Sequence, residues 1–207
     1  MGPLVIVCAA IAQDRLSILK ELGVKDSKLL TEKQREEIFK NIEHQLKYEL
    51  TIIQPKDIDE AVNAKSYNLN WLEADKAADL LNKIDTKLDN DVSEVIVDCP
   101  SNNTNAYKNY LKQKVDNEEM KLTVEHKADL NHLIVGAASI IAKVTREKEI
   151  EKIKKKIKID FGSGYPSDPK TKEFLKKYYS QYPLIFRKSW EPYKSIVSSK
   201  SQTKLFS

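Results

Sequence analysis

The sequence predicts an α/β protein, a sheet flanked by helices with a helical C-terminal appendage, and three observations predict it. Runs of strand length, apolar or alternating, lie near residues 4–12, 48–54, 94–98 and 121–125, with helical patterns between and after them. The apolar run from Leu133 to Val144 is too long for a strand and suits a helix buried over its opening turns. Between the last strand and that helix stands a lone carboxylate, Asp129.

The elements follow in order. Leu4 to Ala12 is a continuous apolar, β-branched run, which reads as a strand covered on both faces. Val24 to Leu30 is a polar turn, and Thr31 with Gln34 three residues on marks the start of a helix whose apolar stripe is Ile38, Ile42 and Leu46. Tyr48, Leu50 and Ile52 alternate as an edge-type strand that Pro55 ends. Ser66 to Ile84 suits a helix packed through Leu69, Leu72, Ala77, Leu80, Leu81 and Ile84, with Trp71 a partly covered surface aromatic. A charged loop is expected from Asp85 to Asp91.

Glu94 to Asp98 is a short strand stopped at Pro100, and Ser101 to Asn105 cap a helix running to about Val115. Ile150, Ile153 and Ile157 extend the central helix along one narrow stripe, while Lys152, Lys154, Lys155, Lys156 and Lys158 form a solvated face. Gly162 to Pro166 reads as a flexible loop presenting Tyr165. A short helix over Thr171 to Tyr179 and a segment from Phe186 to Trp190 packed back on the body complete the fold, and the polar residues after Val197 predict a disordered tail.

At 207 residues the chain can bury a core without staples. With 35 Lys+Arg against 31 Asp+Glu, the net charge of +4 does not by itself announce a nucleic-acid partner; only local clustering could. Cys8 and Cys99 match neither a zinc spacing nor a disulfide framework, which points to a reducing compartment. The opening apolar run lacks the basic leader of a secretory signal, and no stretch approaches the ~20 apolar residues of a membrane span. A soluble, cytoplasmic protein with no membrane partner is therefore expected, a monomer by default.

Two acids invite chemistry. Asp98 ends a strand, where open α/β sheets place their sites, although an Asp before Cys99-Pro100 is also a common turn former. Asp129 carries two readings. It or Asn131 can cap the following helix, or it is a metal ligand or proton carrier on a rigid edge beside His126 and Lys127. The small residues Gly136, Ala137, Ala138 and Ser139 would let the helix approach a sheet and bring the acid near strand ends.

HKADLNHLIVGAASIIAKVTREK followed by GSGYPSDPKT, with VKDSKLLTEKQRE near the start and VDCP in the middle, resembles the archaeal branch of ribonuclease HII (type 2 ribonuclease H). The resemblance extends along nearly the whole chain in the family's order. It implies a ribonuclease H-like catalytic domain over residues 1–158, a helical appendage with a substrate-contacting loop over 159–197 and a flexible tail over 198–207. It also implies hydrolysis of the RNA strand of RNA-DNA hybrids, and of ribonucleotides embedded in DNA, giving 5′-phosphate and 3′-hydroxyl ends with two Mg²⁺ or Mn²⁺ ions per site.

On that resemblance Asp98 and Asp129 are metal-binding catalytic acids, Tyr165 stacks on the sugar after the ribonucleotide, and Ser27 and Lys28 contact the nucleic-acid backbone. His126 and His132 are structural. Gln202, Leu205 and Phe206 faintly resemble a motif that docks on sliding clamps. One departure stands out. The family's first central strand, ending in Asp-Glu-Ala-Gly-Arg-Gly and carrying two further catalytic carboxylates, has no counterpart here. The expectation is a start set too late or a truncated chain; the alternative to a nuclease is a non-catalytic hybrid-binding module that keeps the scaffold, and a general α/β phosphate-binding protein is a third reading.

Overall fold

The structure, a computed structural model, describes the backbone of residues 1–205 and the side chains of residues 1–199. The chain runs β1 (Leu4–Ala10), α1 (Ser17–Glu21), α2 (Glu32–Ile42), β2 (Lys47–Ile53), α3 (Pro55–Asn63), α4 (Leu69–Lys87) and β3 (Glu94–Asp98). It continues through α5 (Thr104–Lys112), β4 (Lys121–Glu125), α6 (Ala128–Asn131), α7 (Leu133–Ile157), α8 (Pro169–Tyr178) and α9 (Glu191–Leu205). Single 3-10 turns occupy Gln13–Arg15, Ser27–Leu29 and Pro183–Ile185. The expected α/β class is observed.

Local chemistry accounts for several boundaries. Thr31 caps α2: its Oγ1 accepts from Gln34 N–H at 3.3 Å, while its own N–H donates to Gln34 Oε1 at 2.9 Å. Pro55 ends β2 as expected, and it also opens α3, where a missing N–H costs nothing. Asn103 caps α5, accepting from Ala106 N–H at 3.0 Å.

Among the described residues the four strands form two two-stranded sheets, β1 with β2 and β3 with β4, rather than one continuous sheet. β3 and β4 are parallel, in register from Glu94 opposite Lys121 to Asp98 opposite Glu125. That pairing needs a crossover, which α5 supplies. β1 is covered on both faces, Val7 and Ala9 packing on one core cluster and Cys8 on another. With one paired edge, however, it is buried only at Val5 and half-buried elsewhere.

The chain divides into two compact units. The larger comprises residues 5–51 and 70–145, the smaller residues 1–4, 52–69 and 146–207. This differs from the expected division at 158/159, because α7 passes from the one to the other at Thr145 and residues 52–69 join the C-terminal elements. In the larger unit, the predicted stripe of Ile38, Ile42 and Leu46 meets Ala137, Ile140, Ile141 and Val144 of α7. A second cluster there joins Ala74, Ala78 and Leu81 of α4 to Tyr107, Leu111 and Leu122, and Trp71 stacks on Tyr110 at 4.4 Å between ring centres. The smaller unit is built on aromatics: Phe161, Phe174 and Phe186 pack with Ile150.

One expectation is corrected. α4 continues to Lys87, so Asp85 is not in a loop but buried at 4 % exposure, accepting from Val92 N–H at 3.0 Å and Asn117 Nδ2 at 3.1 Å. An acid that satisfies loop donors from within a helix looks, in sequence, like part of the loop. The backbone of α9 is helical to Leu205, a helix satisfying its hydrogen bonds locally whether or not its side chains build a core. Phe206 lies outside the described residues, as do the side chains of Gln202 and Leu205. No described helix is long and apolar enough to cross a membrane.

Candidate active site

In the larger unit β3 and β4 end side by side, and α6 follows β4 after one turn in which Lys127 takes a left-handed φ of 59°. That turn aims the N–H of Ala128 at Asp98, whose exposed carboxylate accepts it through Oδ1 at 3.1 Å. Asp98 therefore abuts the first residue of α6, and Asp129 is the second. The bond ties the two predicted acids to adjoining positions.

Asp129 is not a cap. It lies inside α6, its side chain 5 % exposed, with Oδ2 3.5 Å from Lys28 Nζ and Oδ1 buried without any hydrogen-bond partner. Asn131 does not cap either; its Nδ2 donates to Glu125 Oε1 at 3.0 Å, and His132 Nε2 meets the same oxygen at 3.0 Å. These bonds, the Asn131 donor foremost, hold the Glu125 carboxyl below the usual range. Glu125, in register with Asp98, is a neighbour of the site that the sequence reading missed. His126 Nδ1 lies 3.3 Å from the Cys99 carbonyl.

Behind Asp129 lies a second feature that spacing could not reveal. Lys143 Nζ donates to Ser27 Oγ at 2.5 Å and to Ser139 Oγ at 3.0 Å, and the two hydroxyls are 3.0 Å apart. Burial pushes the Lys143 ammonium below the ordinary lysine range, while the charge of Asp129 pulls it back up. Ser27 is 1 % exposed, so it cannot meet a phosphate directly as expected; its hydroxyl instead holds Lys143. Lys28, 62 % exposed at its side chain, remains available. A Cβ at Gly136 would come within 3.2 Å of the Asp129 carbonyl and 3.3 Å of Val24, so glycine at this position lets α7 lie close to both, while Ala137 shares a core cluster on which Val7 and Ala9 of β1 pack.

Carboxylate oxygens, one of them buried and unsatisfied, are the donor type that hard divalent cations take. Asp98 and Asp129 offer oxygens of this type, a partial set at most, because no cluster of three or more His, Cys, Asp or Glu side chains that could hold a metal ion is present among the described residues.

Tyr165 belongs to the smaller unit, where its loop is pinned, not flexible. Asp168 accepts through Oδ2 from Ser163 N–H at 2.6 Å and Ser163 Oγ at 2.8 Å, and through Oδ1 from Lys170 N–H at 2.9 Å. The Ser163 amide, above all, holds the Asp168 carboxyl below its usual range. Thr171 Oγ1 accepts from Gly164 N–H at 3.0 Å and donates to the Phe161 carbonyl at 2.8 Å. Ser163 and Gly164 are thus tied down by Asp168, the cap of α8, and by Thr171 in its first turn. Tyr165 stands 41 % exposed.

The profile of the ribonuclease HII family matches residues 1–193. A ribonuclease HII of Methanococcus maripaludis strain C6 is 41 % identical over 209 residues, covering all of this chain and 85 % of that protein. The crystal structure of ribonuclease H2 from Pyrococcus horikoshii OT3 superposes with a TM-score of 0.79 at 41 % identity, over 95 % of this chain and 90 % of that one. The ribonuclease HII in the PCNA complex from Archaeoglobus fulgidus gives 0.75 at 35 % identity, over 87 % and 82 %. Family profile, relatives and solved structures agree: the chain belongs to the ribonuclease HII family, endonucleolytic hydrolases of the RNA strand of RNA-DNA hybrids.

Proposed function

We propose that this protein cuts the RNA strand of RNA-DNA hybrids and cuts DNA at embedded ribonucleotides, leaving 5′-phosphate and 3′-hydroxyl ends, with Asp98 and Asp129 as its catalytic acids. The observation that carries the reading is the orphaned Oδ1 of Asp129. Leaving a buried polar atom unpaired costs roughly 1 to 3 kcal/mol, a cost that a site kept ready for a ligand explains and a helix cap does not. Asp98 and Asp129 would hold divalent ions, two Mg²⁺ or Mn²⁺. When bound, such ions lower the pKa of water and stabilise the leaving oxygen of a phosphodiester.

The remaining residues bind and orient. The ion pair of Lys28 with Asp129 is weak, because the ammonium is mostly solvated, so Lys28 is free to turn to a backbone phosphate. Ser27 acts indirectly, through Lys143. Tyr165 stacks on the sugar that follows the ribonucleotide, the use its exposed ring permits. The C-terminal segment with Gln202, Leu205 and Phe206 docks on a sliding clamp, a reading supported by the PCNA complex of the Archaeoglobus fulgidus relative. Loss of clamp binding in Phe206→Ala, measured by titration calorimetry, is the expected result there.

The test of the nuclease reading uses labelled duplexes: one with a single ribonucleotide, one a continuous RNA-DNA hybrid, one all DNA. With Mn²⁺ or Mg²⁺ the first two are cut and the third is not, and Asp129→Asn abolishes cutting. Duplex binding without any metal-dependent cut would leave the binding-module reading in its place.

A further inference from the structure

Tyr165 is not oriented by its own loop alone. Arg146, on α7 within the same unit, is 8 % exposed, and its guanidinium carbon lies 4.0 Å from the centre of the Tyr165 ring. The same group donates from Nη1 to the Ser163 carbonyl at 3.2 Å and from Nη2 to the Met1 carbonyl at 3.1 Å. Gly164 makes room for it: with φ at +77°, a Cβ there would stand 3.1 Å from Arg146 Nη2.

We infer that Arg146 is the positioning residue of Tyr165. Its planar guanidinium, anchored by two backbone carbonyls, backs the ring and fixes it so that its exposed surface meets the sugar in one orientation. The inference rests on the reading of Tyr165 given above and adds how the ring is held. Only arginine can do both jobs at once, because its donors lie in the plane that stacks, whereas lysine offers a point charge on a flexible stem. A ring already ordered loses less freedom when substrate binds.

The experiment measures kcat and KM on the single-ribonucleotide duplex for the full chain and for Arg146→Lys, Arg146→Gln, Tyr165→Ala and each double variant, with melting temperatures alongside. Arg146→Lys and Arg146→Gln each lower kcat/KM about tenfold. In the Tyr165→Ala background the same substitutions change it less than about twofold, because the ring they act through is gone. Equal losses in both backgrounds, tracking the melting temperature, mean a purely structural arginine and overturn the inference. A loss in Tyr165→Ala with none in either Arg146 variant overturns the role of Arg146 alone, whereas no loss in Tyr165→Ala overturns the reading of Tyr165. If neither arginine variant folds, the native protein decides: the Arg146 side-chain protons show an upfield ring-current shift that vanishes in Tyr165→Leu, and without that shift the stack does not exist in solution.

Discussion

The acid site and the tyrosine loop are built on opposite principles. Around Asp129 one carboxylate oxygen is buried without a partner, the other faces a mostly solvated lysine, and the half-buried Lys143 ammonium is held on two hydroxyls. In the loop from Gly162 to Asp168, the backbone N–H groups of Ser163 and Gly164 find side-chain acceptors, and the tyrosine has an arginine stacked on it. On the function proposed above the contrast has a reason: a group that is to bind an ion is left with an open oxygen, and a group that is to read a shape is fixed beforehand.

Two buried acids of the larger unit sharpen that contrast. Asp85 is saturated by Val92 and Asn117, while Asp129 keeps an oxygen in reserve. Asp129→Asn is expected to reduce cleavage on the order of 10³-fold while leaving the melting temperature unchanged or slightly raised, because the carboxylate it replaces has a buried oxygen without a hydrogen-bond partner and only a weak, mostly solvated ion pair. Asp85→Ala should do the reverse, costing about 2 to 3 kcal/mol in urea unfolding by orphaning two donors, with kcat nearly unaffected in the folded fraction. A marked loss of stability in Asp129→Asn would break the comparison.

The loop offers a pH-dependent test. Because hydrogen bonds hold the folded Asp168 carboxyl below its unfolded value, the stability it contributes is present above the ordinary carboxylate pKa of ~3.9 and is lost as pH falls through the depressed folded value. Hydrogen exchange at the Ser163 and Gly164 amides should accelerate in that acid window in the native chain, and already at neutral pH in Asp168→Ala. The smallest effect is purely local. Thr31→Ala removes the cap of α2 and should cost about 1 kcal/mol by thermal melting, with no change in cleavage.

What could be read in advance follows from the range of each interaction. The capping pair Thr31 and Gln34, the strands ending at Asp98 and Glu125, and the stripe of Ile38, Ile42 and Leu46 are set by residues within a few positions of one another. Asp98 and Asp129 are candidates from their places at a strand end and a helix start, and the resemblance chooses the metal-ligand reading for them and adds Tyr165, Ser27 and Lys28. Lys143 could not be found this way, because its meaning comes from Ser27, 116 positions away. Nor could the rigidity of the Gly162 loop, which depends on Asp168 and Thr171 folding back from α8.

The order of strands and helices, the helix starts and the placement of an acid after each of two short strands were determined by the sequence itself, since each is a local preference of the backbone and its nearest side chains. Only the tertiary structure decided which acid is saturated and which is left wanting, and which cation backs the exposed ring. Those outcomes depend on burial and on partners that the chain brings together only when it folds.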